Sequence, residues 1–288
     1  MDLKQLFYFK TIVEEGSILS ASKKLFMSQP PLSKQIPLLE EELNCKLFER
    51  GARSIILTSE GKYLYEKAKT LLSLSDITKE EILNLNNDDK GVIRIGIVSS
   101  TGSYVLEKFL IPFHNHYPQI KFEISEANTY QLIEKLNSNL IDIAIVRTPF
   151  DESGFKIISL IEEKLIAIGD HKFFNKDKTS LKEIESLPMV LYRRWENILM
   201  KEFNKKKLNP NVVCINDDAR TTMSWVNSKS VVTIVPNSAS LFMSEGCKML
   251  DIEDLDISSN IVLIYKKTSN LNKVCFKFID NILSEIDK

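Results

Sequence analysis

Three arginines and a run of hydroxyls are the residues best suited to holding a small ligand. Arg147 ends the apolar run Ile143-Ala144-Ile145-Val146, and Arg193 and Arg194 follow Met189-Val190-Leu191-Tyr192. A guanidinium presents a planar fork that matches a carboxylate through two parallel hydrogen bonds. At the end of an apolar strand it either pairs with a surface acid or projects into a cleft. Ser99-Ser100-Thr101-Gly102-Ser103 joins a β-rich run to a helical one, where hydroxyls and unpaired N–H groups attract an anion. The same residues also suit a capping loop that holds nothing, and spacing does not separate the two readings. Asn128 and Thr129, with Thr221 and Thr222 at a second helix start, offer further polar groups.

Covalent and metal chemistry find little support. The chain has no G-x-S-x-G elbow, no zinc-ligand spacing and no phosphate loop, and only three histidines. His114 and His116, two apart on a helix, point to different sides. Cys45, Cys214, Cys247 and Cys275 are scattered, as expected of reduced thiols that pack. No metal or cofactor is implied.

A second polar group lies near the N-terminus. Leu32, Ile36, Leu39 and Leu43 recur at steps of four, three and four, which is the apolar face of a helix opened by Ser28-Gln29-Pro30-Pro31. Gln29, Ser33 and Lys34 then face largely away from that row. Prolines sit well in a first turn, where the missing N–H would be unpaired anyway. Ser28 therefore has less capping to do, and its hydroxyl is available to another partner. Two helices must support this one. Leu3, Leu6, Phe7, Phe9, Ile12 and Val13 form the stripe of the first, stopped by Gly16. Ser17 caps the second, with Ala21, Leu25 and Phe26 expected on its buried face. Two short helices across a tight turn, the second with a polar leading edge, make a helix-turn-helix layout. From 16 to 39 the only charged residues are Lys23, Lys24 and Lys34, although residues 1–60 hold eight basic and eight acidic side chains. The basic footprint is a stripe and not a property of the segment.

After Thr58, an N-cap, residues 59–87 read as one long helix. Leu64, Ala68, Leu71, Ser75, Thr78, Ile82 and Leu85 alternate at four and three, a heptad seam suited to a dimer. Turn formers at 84–91 predict a hinge. Beyond it, strands are expected over 92–98, 121–125, 142–146, 155–160, 164–168, 189–192, 212–215, 231–235 and 261–265. Helices are expected over 105–114, 131–137, 197–206, 221–227 and 271–286. Such alternation predicts an open α/β sheet with ligands beyond the carboxyl ends of its strands.

Length and composition agree. The 288 residues suggest two domains, and 38 basic against 39 acidic residues leave a net charge of −1, which singles out neither nucleic acid nor membrane. No apolar run approaches a membrane span, and the polar opening Met1-Asp2-Leu3-Lys4 argues against a signal peptide, so a cytoplasmic location is expected.

The N-terminal stretch resembles the LysR-type transcriptional regulators. The matching residues are Ala21-Ser22-x-x-Leu25, Ser28-Gln29-Pro30, Leu32-Ser33-x-Gln35-Ile36, Leu39-Glu40, Leu43, Leu47-Phe48-x-Arg50, Arg53 and Leu57-Thr58-x-x-Gly61. A looser likeness continues through Ile95-Gly96, Leu110-Ile111-Pro112-Phe113, Tyr117-Pro118, residues 140–145 and Val235-Pro236. Leu19 replaces the family's usual Ser or Thr, and Asn44 its usual glycine. Pro37 falls inside the recognition helix, removes a hydrogen bond to the Ser33 carbonyl and predicts a bend after residue 36.

The resemblance implies an N-terminal all-α winged helix-turn-helix over 1–58 and a linker and dimerisation helix with hinge over 59–89. It implies a two-lobed α/β effector domain over 90–288, like a type 2 periplasmic binding protein. Lobe I would comprise 90–161 and 267–288, and lobe II 162–266. Ser28, Gln29, Pro30, Ser33 and Lys34 would meet operator DNA, with Arg50 and Arg53 on the wing. Ser99, Ser100, Thr101, Asn128, Thr129, Arg147, Arg193, Arg194 and Thr221 would line the effector cleft. A small anionic effector, most simply a carboxylate, would be clamped by Arg147 and one of Arg193 or Arg194. A homodimer, assembly to a homotetramer, and RNA polymerase are the implied protein partners; no membrane is. The alternative is a two-lobed ligand-binding module or enzyme with a vestigial head.

Overall fold

The computed structural model describes residues 1–49, 55–84, 89–268 and 271–286. The chain divides into two compact units, residues 1–86 and 87–288. None of the helices among the described residues is long and apolar enough to cross a membrane.

In the first unit, α1 (Leu3–Glu15) opens on a capping box between Asp2 and Gln5 and ends at Gly16, whose φ of 67° is the left-handed conformation that stops a helix. The Ser17 side chain caps α2 (Ile18–Lys24), and α3 (Gln29–Leu43) carries Pro30 and Pro31 in its first turn. Helix α3 continues through Pro37 to Asn44, which takes the left-handed cap at φ 51°. Phe9, Ile12, Ala21, Leu32, Ile36, Leu39 and Leu47 form the core. Phe26 is not part of it. Turning α2 into α3 needs a left-handed residue, and Phe26 at φ 51° is turned outward, 98% exposed.

Phe48 bridges Leu57, and the Glu49 N–H donates to the Ile56 carbonyl, closing the base of the wing. The Thr58 hydroxyl accepts from the Gly61 N–H at 3.0 Å and donates to the Lys46 carbonyl at 2.6 Å, starting α4 (Ser59–Asn84) against the wing. A Cβ at Gly61 would stand 2.1 Å from the Leu47 carbonyl oxygen, so only glycine fits. Leu64 packs on the core and Ala68 is buried, but Leu71 and Ile82 further along the seam are exposed. Leu85 lies outside the described residues.

In the second unit, β1 (Gly91–Val98) lies between parallel neighbours β2 (Ile120–Ala127) and β3 (Ile143–Arg147). A 3-10 turn Ser99–Thr101 leads from β1 into α5 (Gly102–Val105), a π-helical turn Leu106–Leu110 and α6 (Ile111–His116). Helix α7 (Thr129–Asn137) connects β2 to β3. The expected strands 155–160 and 164–168 are one strand, β4 (Phe155–Asp170). Polar Glu162 and Glu163 interrupt the apolar pattern, but Glu163 is buried in an ion pair and the strand passes straight through.

Beyond β4 come β5 (Lys178–Thr179), α8 (Leu181–Glu185), β6 (Met189–Tyr192) and α9 (Arg193–Lys205). They are followed by β7 (Val212–Asn216), α10 (Ala219–Asn227), β8 (Thr233–Pro236) and β9 (Cys247–Ile252). The chain closes with β10 (Ser258–Lys266) and α11 (Lys273–Ile286). The main sheet runs β2-β1-β3-β10-β4-β9-β5, with β8 also on β4, while β6 and β7 form a separate parallel pair. Strands β4 and β10 are antiparallel and shared by two lobes with separate cores. One is built on Phe109, Phe113 and Phe278, the other on Trp195, Leu199 and Phe203. The return crossing comes earlier than the expected residue 266: Ile261–Ile264 already pair with β3 on the lobe I side.

Candidate functional site

The leading edge of α3 is open. Ser28, Gln29, Pro30 and Lys34 are exposed and Ser33 is half-buried, its hydroxyl donating to the Pro30 carbonyl at 3.0 Å. Ser28 stands at the N-cap and makes no side-chain cap bond, leaving its Oγ available. Lys34 and Lys23 form no ion pair among the described residues, whereas Lys24 is paired with Glu15. Arg50 and Arg53 lie outside the described residues. Behind this edge is a residue the sequence reading used only as a motif position. The buried Glu40 carboxylate accepts from the Leu47 N–H at 2.8 Å and from Lys46, holding the wing to the end of α3. Burial pushes its pKa up, but those hydrogen bonds prevail and hold it below the usual carboxylate range.

The hydroxyl loop and Arg147 meet, but not as an open clamp. Arg147 is 1% exposed, and each of its three guanidinium nitrogens is hydrogen-bonded. Nε donates to Ser100 Oγ at 3.0 Å, Nη1 to Ser259 Oγ at 3.2 Å, and Nη2 to Glu163 at 3.3 Å and to Ser238 Oγ. Glu163 also accepts from the Ser238 N–H at 3.0 Å. Burial pulls the guanidinium's pKa down, and the Glu163 charge opposes that pull. The expected projecting Arg147 is therefore an internal strut. Its strand end is covered by both lobes, and an unpaired charge there would be costly. A signal existed: a glutamate inside an apolar strand needs a partner of opposite charge.

The remaining residues separate into two groups. Arg193 turns away, pairing with Asp217 and, at 3.8 Å, with Glu196. It is not a cleft residue in this arrangement, because it begins α9 on the solvent side. Arg194, one residue on, reaches across to lobe I, where Nη2 donates to the backbone carbonyls of Arg147 and Thr148. No carboxylate pairs with it among the described residues, and its Nε is buried without a partner. Burial pulls its pKa down as well. The Tyr192 phenol lies within electrostatic reach of Arg194, Asp218 and Arg147, and burial raises its pKa. Thr129 donates to the Arg147 carbonyl at 3.5 Å, Thr101 to the Val98 carbonyl at 3.0 Å, and Asn128 caps α7. Thr221 is exposed on the first turn of α10. Thr222 is buried and donates to Asn216, whose Nδ2 has no partner among the described residues. Ser99, in the 3-10 turn after β1, lies within electrostatic reach of Asp218 of lobe II. The carboxyl ends of β1, β3, β6 and β7 thus converge on one cleft, the place where open α/β sheets bind ligands. Tyr192, Asp218, Ser238, Ser259 and Glu163 belong to it, and only lobe-to-lobe packing reveals them.

Comparison with known proteins covers both units. The bacterial regulatory helix-turn-helix model of the lysR family matches residues 3–62, and the LysR substrate binding domain matches residues 86–287. Over 97% of the chain and 99% of the relative, the sequence is 31% identical to the HTH-type transcriptional regulator BsdA of Bacillus subtilis (strain 168). Over 98% and 95%, it is 25% identical to the HTH-type transcriptional activator CmpR of Synechocystis sp.. The fold matches that of CbnR, a LysR family transcriptional regulator, with a TM-score of 0.81 over 100% of both chains at 19% identity. Full-length CbnR complexed with its target DNA gives the same TM-score of 0.81 at 21% identity, over 99% of this chain and 100% of that one. With an exposed α3 edge, a two-lobed second unit and family matches over both units, the chain belongs to the LysR family of transcriptional regulators: a DNA-binding protein with a ligand-binding domain, and not an enzyme.

Proposed function

We propose that this regulator reads an operator with Ser28, Gln29, Pro30, Ser33 and Lys34 of α3, with Arg50 and Arg53 of the wing on the flanking backbone. We infer further that a small carboxylate in the cleft changes that engagement. Support for the first part is the open edge of α3, backed by the DNA complex of a protein with the same fold. The second part rests on one observation. Among the described residues, Arg194 is the cleft arginine with no acid beside it, and its buried Nε lacks an acceptor that a ligand oxygen would supply. Ser99, Ser100, Thr101, Asn128, Thr129 and Thr221 surround the approach, with Arg147 as the floor rather than a second clamp. Effector binding shifts the lobes by its differential affinity for two arrangements, typically about 1–3 kcal/mol. Dimerisation through α4, assembly to a tetramer, contact with RNA polymerase and a cytoplasmic location complete the reading.

Titration calorimetry of the full chain with carboxylates and their neutral amides tests the effector class. Carboxylates are expected to bind, and Arg194→Gln to weaken them at least tenfold. A preference for amides, or equal binding by the variant, would refute it. A salt-dependent electrophoretic shift with the upstream region of its own coding sequence tests operator reading.

A further inference from the structure

A second, more exposed bridge joins the lobes. Glu126, at the end of β2 in lobe I, accepts from Arg220 Nη1 at 3.0 Å, and Arg220 sits in the first turn of α10 in lobe II. The same guanidinium holds Asp218 through Nε at 3.3 Å and Nη2 at 3.2 Å. One guanidinium is thus shared by two carboxylates, one from each lobe.

The cleft is tied at two depths, and the ties differ in kind. At the floor, Arg147, Glu163 and Ser238 are joined out of water, where breaking a pair strands a charge. At the rim, Arg220 and Glu126 are both partly exposed, and water can replace either partner at small cost. A permanent floor and an exchangeable rim are the arrangement of a gate. We propose that Arg220 is the gate of this cleft. Shared between Glu126 and Asp218, it holds the mouth closed in the ligand-free protein, and its release from Glu126 opens the way to Arg194. The role of the opening rests on the cleft being the effector site; the closure itself does not.

Hydrogen exchange by mass spectrometry on the full chain, with no ligand added, tests the closure. Glu126→Gln lies in lobe I and leaves the Asp218 cap of α10 intact, yet it is expected to speed amide exchange over 218–222 of lobe II about two- to fivefold, the factor of an exposed ion pair. Arg220→Gln should do the same to residues 122–127 of lobe I. Raising the salt to roughly 0.5 M should bring the wild type toward both variants by screening. Exchange unchanged in both variants, or faster only in the lobe that carries the substitution, overturns the gate. Because no effector enters this experiment, the gate can fail while Arg194 still binds carboxylates, and the calorimetry can fail while the gate stands.

Discussion

At the scale of single residues, the decisive difference is between polar groups already satisfied and those left open. Ser17 and Ser28 are both N-cap serines. Ser17 accepts the Ser20 N–H at 3.0 Å, while Ser28 makes no cap bond because its helix opens on two prolines. Ser17→Ala is therefore expected to cost about 1 kcal/mol of stability. Ser28→Ala should leave the urea midpoint unchanged and weaken operator binding, and a shared loss of stability would refute the contrast. Arg147 and Glu163 form the complementary case. Replacing one member strands a buried charge, so Arg147→Met should cost about 3–5 kcal/mol in chemical denaturation. Adding Glu163→Met to it should recover most of that loss. A double variant no more stable than the single one would show that the strut is not a matched pair.

At the scale of elements, α4 serves two surfaces. Near its start, Leu64 packs on the head and Gly61 admits the Leu47 carbonyl, so this end is committed to the first unit. Further along, Leu71 and Ile82 remain 41% and 63% exposed on the seam that the heptad spacing marks. Large apolar side chains repeated along one exposed helix face suit a second copy of the same helix. Leu71→Asp with Ile82→Asp is expected to shift sedimentation from dimer toward monomer while helicity by circular dichroism is kept. Unchanged sedimentation would remove α4 as the dimer seam. Strand β4 makes a related point. Its central acids look like a break in an apolar pattern, but Glu162 faces outward and the burial of Glu163 against Arg147 lets 16 residues run as one strand through both lobes.

At the scale of the whole molecule, a net charge of −1 conceals a local basic stripe. Binding to a duplex depends on the phosphates actually neutralised, not on the total. Lys34 is exposed and unpaired among the described residues, so Lys34→Ala should reduce the slope of log affinity against log salt by about one. An unchanged slope would mean that this lysine meets no phosphate.

Much was legible in the one-dimensional pattern. The apolar row of α3, the Leu6, Phe9 and Ile12 part of the α1 row, the Gly16 stop, the Thr58 start of α4 and the parallel strands β1, β6 and β7 follow from local periodicity and capping, whereas Leu3 and Phe7 of the same α1 row are exposed. The open edge of Gln29, Ser33 and Lys34 follows for the same reason, because one helix face settles what the opposite face shows. Short segments without a strong pattern, such as β5, β9 and α8, were not visible in this way. Nor was the outward turn of Phe26, which depends on backbone geometry between two helices. The cleft lay furthest from the sequence. Arg147, Arg193 and Arg194 look alike as arginines after apolar runs, yet one is a buried strut, one faces solvent and one crosses between lobes. Their fates are set by Glu163, Asp217 and the Thr148 carbonyl, at separations of 16, 24 and 46 residues. A charge takes its role from whatever tertiary packing places beside it, and no local pattern carries that information.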